Sequence, residues 1–169
     1  QSSRVDALPG IPVGIKDIID VAGMPTRMGS PIYADHWPRA SARLVERLAR
    51  SGAIPLGKAV TTEFAFMAPS RTRNPWNAAH TPGGSSSGSA AAVACGMVPA
   101  ALGTQTNGSV IRPASFCGVY GLKPSKGLVS RYGVLPLCPS FDVVGPFART
   151  LEDIALITGV IAGYDPGDP

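Results

Sequence analysis

Two glycine- and serine-rich turns and one lysine carry residue types suited to acyl-transfer chemistry. The first turn, Gly83–Ser89, reads GGSSSGS, and the second, Gly103–Ser109, reads GTQTNGS. Lys16 stands near the end of an apolar segment. A serine hydroxyl becomes a nucleophile when a base removes its proton, and a buried, neutral lysine can be that base. On residue types and spacing alone, a surface lysine and two ordinary loops remain the alternative explanation.

A phosphate-binding loop is one competing interpretation of the glycines. Gly52–Lys58 matches the pattern G-x-x-x-x-G-K, but Ala59 stands where the magnesium-binding Ser or Thr is needed. The segment also follows a predicted helix rather than a strand, and Pro55 interrupts it. The context that this motif requires is therefore absent.

A histidine-based serine triad is the second competing interpretation. Gly84–Gly88 fits the pattern G-x-S-x-G, which requires a strand immediately before it. The preceding residues, NAAHTPG, do not form a strand pattern. The histidines, His36 and His80, both lie in polar loop sequence, where we expect surface or loop roles.

Alternating helices and strands must position these turns, which is the pattern of an α/β domain. An amphipathic helix is predicted over Ser41–Ser51, ended by Gly52. A nearly all-apolar, buried helix is predicted over Leu151–Ala162, with Thr150 as its N-cap. The remaining predictions are an Ala-rich helix over Ala90–Met97, a short helix with Pro113 in its first turn, and strands within Leu8–Ile19, Ala53–Gly57 (buried), Val98–Leu102, Val119–Leu122, Leu128–Ser130 and Val143–Phe147. One helix and one strand are predicted between the two serine turns. This arrangement would place both turns at the same end of a sheet.

Composition excludes several classes of protein. The chain has 169 residues, a net charge of +4, 44% hydrophobic and only 15% charged residues, with 20 glycines and 17 prolines. This composition can bury a core, which argues against disorder. The longest apolar stretch, Ala90–Leu102, is too short to span a membrane. The positive charge is scattered, which argues against a nucleic-acid surface.

The three cysteines, Cys95, Cys117 and Cys138, are widely spaced and form no C-x-x-C pair. We therefore expect no zinc site and interpret them as buried thiols. An odd cysteine count without a secretory signal predicts a cytoplasmic location.

Several segments resemble the amidase signature family, in that family's order. The resemblance lies in the central motif and in flanking runs across almost the whole chain: Leu8–Asp17, Leu56–Ala65, Asn74–Trp76, Pro82–Ser89, Gly103–Ser125 and Ala162–Pro169. It implies an α/β fold with a mixed, twisted sheet flanked by helices. Because family members run to several hundred residues, residues 1–169 would form a partial domain, roughly its N-terminal half, without the N-terminal helices and the C-terminal part.

The resemblance also implies a Ser–Ser–Lys site. Ser109 would be the nucleophile, Lys16 the base, and Ser85, after a cis peptide bond from Gly84, the bridging serine. The backbone N–H groups of the nucleophile's own turn would form the oxyanion hole: Thr106, Asn107, Gly108 and Ser109. No metal or organic cofactor is implied.

Three positions depart from the commonest family motif, GTDTGGS-I-R. Gln105 replaces its aspartate, and Arg112 lies one residue later than the usual arginine. Asn107 replaces a glycine. The variant resembles the malonamidase-type branch, in which the arginine binds a substrate carboxylate. Arg112 would then be a substrate-binding residue, and a structural role packed beside Gln105 is the alternative.

The implied function is an amidohydrolase that converts a small carboxamide to a carboxylate and ammonia. One alternative is the glutaminase component of a glutamyl/aspartyl-tRNA amidotransferase, although that component usually carries the Asp form of the central motif. Another is an inactive fragment or interaction module, poorly soluble or only partly folded alone. The expected partner is a small-molecule amide, without direct contact to nucleic acid or membrane; a homodimer of the full-length protein stays open.

Overall fold

Five strands form one sheet at the centre of the fold: β1 (Pro12–Lys16), β2 (Ile54–Ala59), β3 (Ala100–Gln105), β4 (Tyr120–Gly121) and β5 (Val143–Ala148). Their order across the sheet is β2-β1-β3-β5-β4. The computed structural model describes residues 7–168; Pro169, the end of the last family-like segment, lies outside them.

The sheet is mixed, and its register brings the functional segments to one edge. β1 runs parallel to both neighbours, with Ile15 beside Leu102 of β3. β5 runs antiparallel to β3, so that Val143 pairs with Gln105. The carboxyl ends of the three parallel strands and the amino end of β5 therefore meet at the same edge. In open α/β sheets, ligands bind at the carboxyl ends of the strands.

Helices cover both faces of this sheet. They are α1 (Arg43–Arg50), α2 (Ser87–Ala94), α3 (Ile111–Cys117) and α4 (Leu151–Ile161), with 3-10 turns at Pro31–Tyr33 and Glu63–Ala65. α1 and α4 bury one apolar cluster against side chains such as Ile15 and Leu102. α2 and α3 bury a second cluster around Ala101 and Phe147. The fold is therefore α/β with a mixed sheet flanked by helices, as expected.

Several predicted elements differ from the structure. Leu128–Ser130 is not a strand, because Val129 makes only an isolated bridge to Ala162. β3 extends through Gly103–Gln105, which the sequence assigned to a turn, because β5 pairs with it residue by residue. β2 is an edge strand rather than a buried one, and Leu56 on it is 55% exposed.

Two burial predictions were also wrong. α4 buries only one side, and its residues Leu151 and Leu156 are exposed. The cap at Thr150 is confirmed, since its hydroxyl accepts the N–H of Asp153 at 3.1 Å. Of the three cysteines, all free thiols, Cys117 is buried, Cys138 is partly exposed and Cys95 is exposed.

Candidate active site

Lys16 ends β1, between β2 and β3, and its side chain is fully buried. Its Nζ donates hydrogen bonds of 2.7 Å to Ser85 Oγ and 2.7 Å to Thr104 Oγ1. Burial removes water from the ammonium group and lowers its pKa from 10.5 to about 7. The negative charge of Asp142 has the opposite, smaller effect and raises this pKa. A lysine amine with these properties exchanges a proton near neutral pH.

The turn before α2 presents Ser85 to this lysine. The Gly84–Ser85 peptide bond is cis, as the resemblance implies. The Ser85 carbonyl accepts hydrogen bonds from the Thr62 N–H at 3.2 Å and the Thr61 hydroxyl at 3.3 Å. Ser85 is itself buried, so backbone contacts and the lysine together fix its hydroxyl.

The neighbouring serines of the same turn have structural partners. The hydroxyl of Ser86 donates to the Thr104 carbonyl at 3.2 Å, and that of Ser89 donates to the Leu102 carbonyl at 2.8 Å. The hydroxyl of Ser87 lies 2.8 Å from that of Ser70. The Ser86 and Ser89 contacts attach the start of α2 to β3, and the partners of all three serines distinguish them from Ser85.

The second turn carries Ser109 to the same place. The Ser86 N–H donates to the Ser109 carbonyl at 3.3 Å, so the two turns touch through their backbones. Within residues 7–168, the Ser109 hydroxyl makes no hydrogen bond, to Ser85 or to any other group. The structure therefore brings Lys16 and Ser85 into direct contact and Ser109 into the adjoining turn.

Gln105 and the following residues shape that second turn. The side-chain oxygen of Gln105 accepts the N–H groups of Val110 at 2.9 Å and Ile111 at 3.0 Å. The four N–H groups assigned to the oxyanion hole donate no hydrogen bond within the described chain: Thr106, Asn107, Gly108 and Ser109. Free backbone donors grouped in one turn can stabilise a developing negative charge.

Arg112 lies beside this turn with an exposed side chain. Its guanidinium covers Gly108 so closely that a Cβ there would lie 2.9 Å from Nη2. Gln105 is bound to backbone N–H groups, and none of the hydrogen bonds within residues 7–168 joins it to Arg112. The guanidinium, together with Gly84 and Phe116, lines a cavity of about 190 Å³.

A second cavity, of about 380 Å³, is lined by Ser85 itself. Its polar end is formed by Ser85, Thr104, Thr106 and Asp142, and its walls by apolar residues such as Leu135. Of the three catalytic candidates, Ser85 lines this larger cavity, and its neighbour Gly84 lines the smaller one.

Thr104 and Asp142 are site residues that reasoning from the sequence missed. Both lie at the site edge of the sheet, Thr104 near the end of β3 and Asp142 directly before β5. A lone carboxylate immediately before a buried apolar strand was the available signal for Asp142. The antiparallel pairing of β5, which places that carboxylate near Lys16, could not be read from it.

The rejected motifs have structural roles. Lys58 forms an ion pair with Asp17 at 3.0 Å and donates to Thr26 Oγ1 at 2.9 Å. His36 packs edge-to-face on Tyr33, and His80 is exposed in a loop.

Comparison with known proteins identifies the family. The family model described as Amidase matches residues 2–169. The chain belongs to the amidase family. Among its relatives, the A subunit of the glutamyl-tRNA(Gln) amidotransferase of Chloroflexus aggregans is 50% identical over 174 residues, which cover 99% of this chain and 36% of that protein.

Solved amidase-family structures have the same fold. The A subunit of the glutamyl-tRNA(Gln) amidotransferase of Thermotoga maritima is 44% identical with a TM-score of 0.89, covering 95% of this chain and 38% of that one. The native peptide amidase of Stenotrophomonas maltophilia is 44% identical with a TM-score of 0.92, covering 96% of this chain and 35% of that one. This amidase-family chain thus spans little more than a third of the length of these relatives.

Neither a metal cluster nor a membrane-spanning helix accompanies the site in the described part of the chain. Residues 7–168 contain no group of three or more His, Cys, Asp or Glu side chains that could hold a metal ion. No helix among them is both long and apolar enough to cross a membrane.

Proposed function

We propose that this chain carries the catalytic centre of an amidohydrolase that converts a carboxamide to a carboxylate and ammonia. The observation that carries the proposal is the 2.7 Å hydrogen bond from the buried Lys16 amine to the Ser85 hydroxyl, in a turn bonded to that of Ser109. Membership of the amidase family supports the same reaction class.

In the first half of the reaction, Ser109 Oγ attacks the amide carbonyl. Its proton passes to Ser85, whose own proton passes to Lys16, which is neutral above a pKa of about 7. The carbonyl oxygen becomes an oxyanion facing the N–H groups of Thr106–Ser109. Each such preorganised donor contributes about 3–4 kcal/mol in comparable hydrolases.

In the second half, Lys16 returns the proton through Ser85 to the leaving amine, the C–N bond breaks and ammonia departs. The acyl group stays on Ser109 as an ester. Water then attacks this ester and gives one proton to the same relay, which reprotonates Ser109 as the carboxylic acid leaves. The acid ionises to the carboxylate, and the released ammonia takes up its proton. Every proton is thereby accounted for, and no step of this scheme uses a metal ion.

The test is a Ser109→Ala variant assayed by ammonia release from malonamide-like, aromatic and peptide amides. We expect turnover to fall by several orders of magnitude, because the covalent step needs this hydroxyl. Ser87→Ala is the matched control, since it removes a serine of the same site region whose hydroxyl contacts Ser70. Near wild-type turnover in Ser109→Ala would refute the assignment.

A second candidate function is the glutaminase component of a tRNA-dependent amidotransferase. The specific observation that favours it is the 50% identity to the glutamyl-tRNA(Gln) amidotransferase protein of Chloroflexus aggregans. Gln105, in place of the usual aspartate, argues for the free amidase. Ammonia release from glutamine that rises only with the partner proteins and charged tRNA would favour the amidotransferase.

An inactive fragment or interaction module is the third possibility, and no turnover on any amide in the panel would support it. A cytoplasmic location, a small-molecule substrate and a homodimer of the complete protein also belong to the proposal. The free thiols of all three cysteines fit a reducing compartment.

A further inference from the structure

Asp142 is a nearly buried carboxylate, 9% exposed, directly before β5. Its Oδ2 accepts the N–H groups of Leu137 at 2.8 Å and Cys138 at 2.7 Å. Its Oδ1 accepts the hydroxyl of Thr106. Because both oxygens are bonded, the carboxylate is fixed in position and orientation.

The contact with Thr106 bears on the turn that carries Ser109. Thr106 is the first residue of this turn after β3. The far end of the turn is held by Gln105, whose side chain accepts the N–H groups of Val110 and Ile111. Asp142 therefore holds the near end, and the two contacts together leave the N–H groups between them free.

The same carboxylate faces the lysine. Asp142 lines the 380 Å³ cavity together with Ser85 and Thr104, the two hydrogen-bond partners of Lys16. Its negative charge raises the pKa of Lys16 against the larger effect of burial.

The other charged groups near the site are already paired. Next to Lys16 in the chain, Asp17 forms an ion pair with Lys58 at 3.0 Å. On the cavity wall, Arg131 forms one with Asp168 at 3.1 Å. Within the described part of the chain, Asp142 forms no ion pair, and its negative charge raises the pKa of Lys16.

We propose that Asp142 is a positioning residue, whose carboxylate anchors the Thr106 end of the Ser109 turn while its charge faces Lys16. The inference rests on the proposed function in so far as Lys16 and the turn serve amide hydrolysis. The Asp142 side chain would then have two roles. It would fix the geometry of the backbone N–H donors in the Ser109 turn, and its charge would influence the protonation of Lys16.

The test is Asp142→Asn, which is isosteric and can still accept the N–H groups of Leu137 and Cys138. We expect kcat/KM at the optimum to fall roughly 10- to 100-fold, the range for a lost hydrogen bond to a charged group. We also expect the acidic limb of the pH profile to move to lower pH, because a positive Lys16 loses its stabilising charge. A merely structural role would lower activity without moving the limb.

A direct readout is available independently of turnover. The chain has four lysines, Lys16, Lys58, Lys123 and Lys126, so carbon NMR of labelled lysine side chains can follow Lys16 alone. The Lys16 titration should move to lower pH in Asp142→Asn. Glu152→Gln is the charge-matched control and should leave this titration in place, because its side chain is exposed in the first turn of α4.

Asp142→Glu separates the two roles and serves if Asp142→Asn does not fold. It keeps the charge but changes the reach of the carboxylate, so we expect a Lys16 titration near that of the wild type with lowered kcat/KM. An unmoved Lys16 titration in folded Asp142→Asn, or wild-type kcat/KM in Asp142→Glu, would overturn the inference. Absence of amide turnover in the wild type would instead overturn the proposed function.

Discussion

At the scale of single residues, the Lys16 amine links structure to pH dependence. Burial lowers its pKa to about 7, and only its neutral form accepts a proton. We therefore predict that kcat/KM falls about tenfold per pH unit well below pH 7 and levels off above it. The measurement is kcat/KM between pH 5 and 9, with exposed Lys126→Gln as the control. A profile without an acidic limb in this range would contradict the prediction.

Arg112 is the residue that we propose as a substrate-binding candidate. Its exposed guanidinium lines the smaller cavity beside Gly84, where a two-pronged contact with a carboxylate is geometrically suited to arginine. We predict that Arg112→Gln raises KM for an amide that carries a free carboxylate by roughly 10- to 100-fold. The KM for a neutral amide should change by about twofold at most in the same variant.

The two substrate classes serve as internal controls for Arg112, and exposed Arg71→Gln is the matched variant. Equal losses on both substrates would show that Arg112 shapes the turn at Gly108 rather than binding a carboxylate.

At the residue scale, a motif could indicate candidates wherever it specified their neighbours in the chain. The family-like segments led to Lys16 and Ser85, which the structure joins by a hydrogen bond. The same motifs contain Thr104 but gave no reason to single it out. Asp142 was missed because its contact with Thr106 spans 36 residues of sequence and depends on β5 lying antiparallel to β3.

At the scale of elements, the contact between α2 and β3 controls the relative position of the two turns. A Cβ added at Gly103 would lie 2.5 Å from the Phe147 ring and 2.7 Å from Ser86 Oγ. We therefore predict that Gly103→Ala lowers the free energy of unfolding by about 1–3 kcal/mol, as overpacked cores do. Turnover should fall too, because Ser86 directly follows Ser85 in the chain and a displaced Ser86 would shift the Ser85 hydroxyl. Chemical denaturation and ammonia release measure both effects.

Gly57→Ala on β2 is the matched control for Gly103→Ala. It makes the same change in a strand of the same sheet, but a Cβ there would meet nothing within 4 Å. If both variants had equal stability and turnover, close packing at Gly103 would not determine the relative position of the two serine turns.

Helices were easier to predict than the roles of strands. The α1 pattern of Leu44, Val45 and Leu48 repeats within one helix and can be read locally; all three are buried as that pattern requires. The start of α2 at Ser87, inside a run that resembles a linker, depends instead on serine bonds to β3. Likewise, an apolar segment such as β2 is buried or exposed according to its place in the strand order, which pairing between distant segments decides.

At the scale of the whole molecule, the buried lysine makes stability depend on pH. The Lys16 pKa is about 7 in the folded chain against an ordinary value of 10.5. Between these values the unfolded chain binds more protons than the folded one, so stability rises with pH. Below about pH 7 both states are protonated, and the cost of burying the charge is present in full.

A Lys16→Met variant isolates this effect. Its free energy of unfolding should depend less steeply on pH than that of the wild type between pH 7 and 9, by up to about 1.4 kcal/mol per unit. The window ends at 9 because burial raises the pKa of the Cys117 thiol from 9.0 to about 11, which makes stability fall with pH above 9. Urea denaturation across this range measures the slopes. Loss of the hydrogen bonds to Ser85 and Thr104 changes the free energy of unfolding of the variant by the same amount at every pH. The test is therefore the difference between the two proteins in the slope of this free energy against pH. Parallel profiles for the two proteins would mean that Lys16 is charged in the folded chain, and then it could not act as the base.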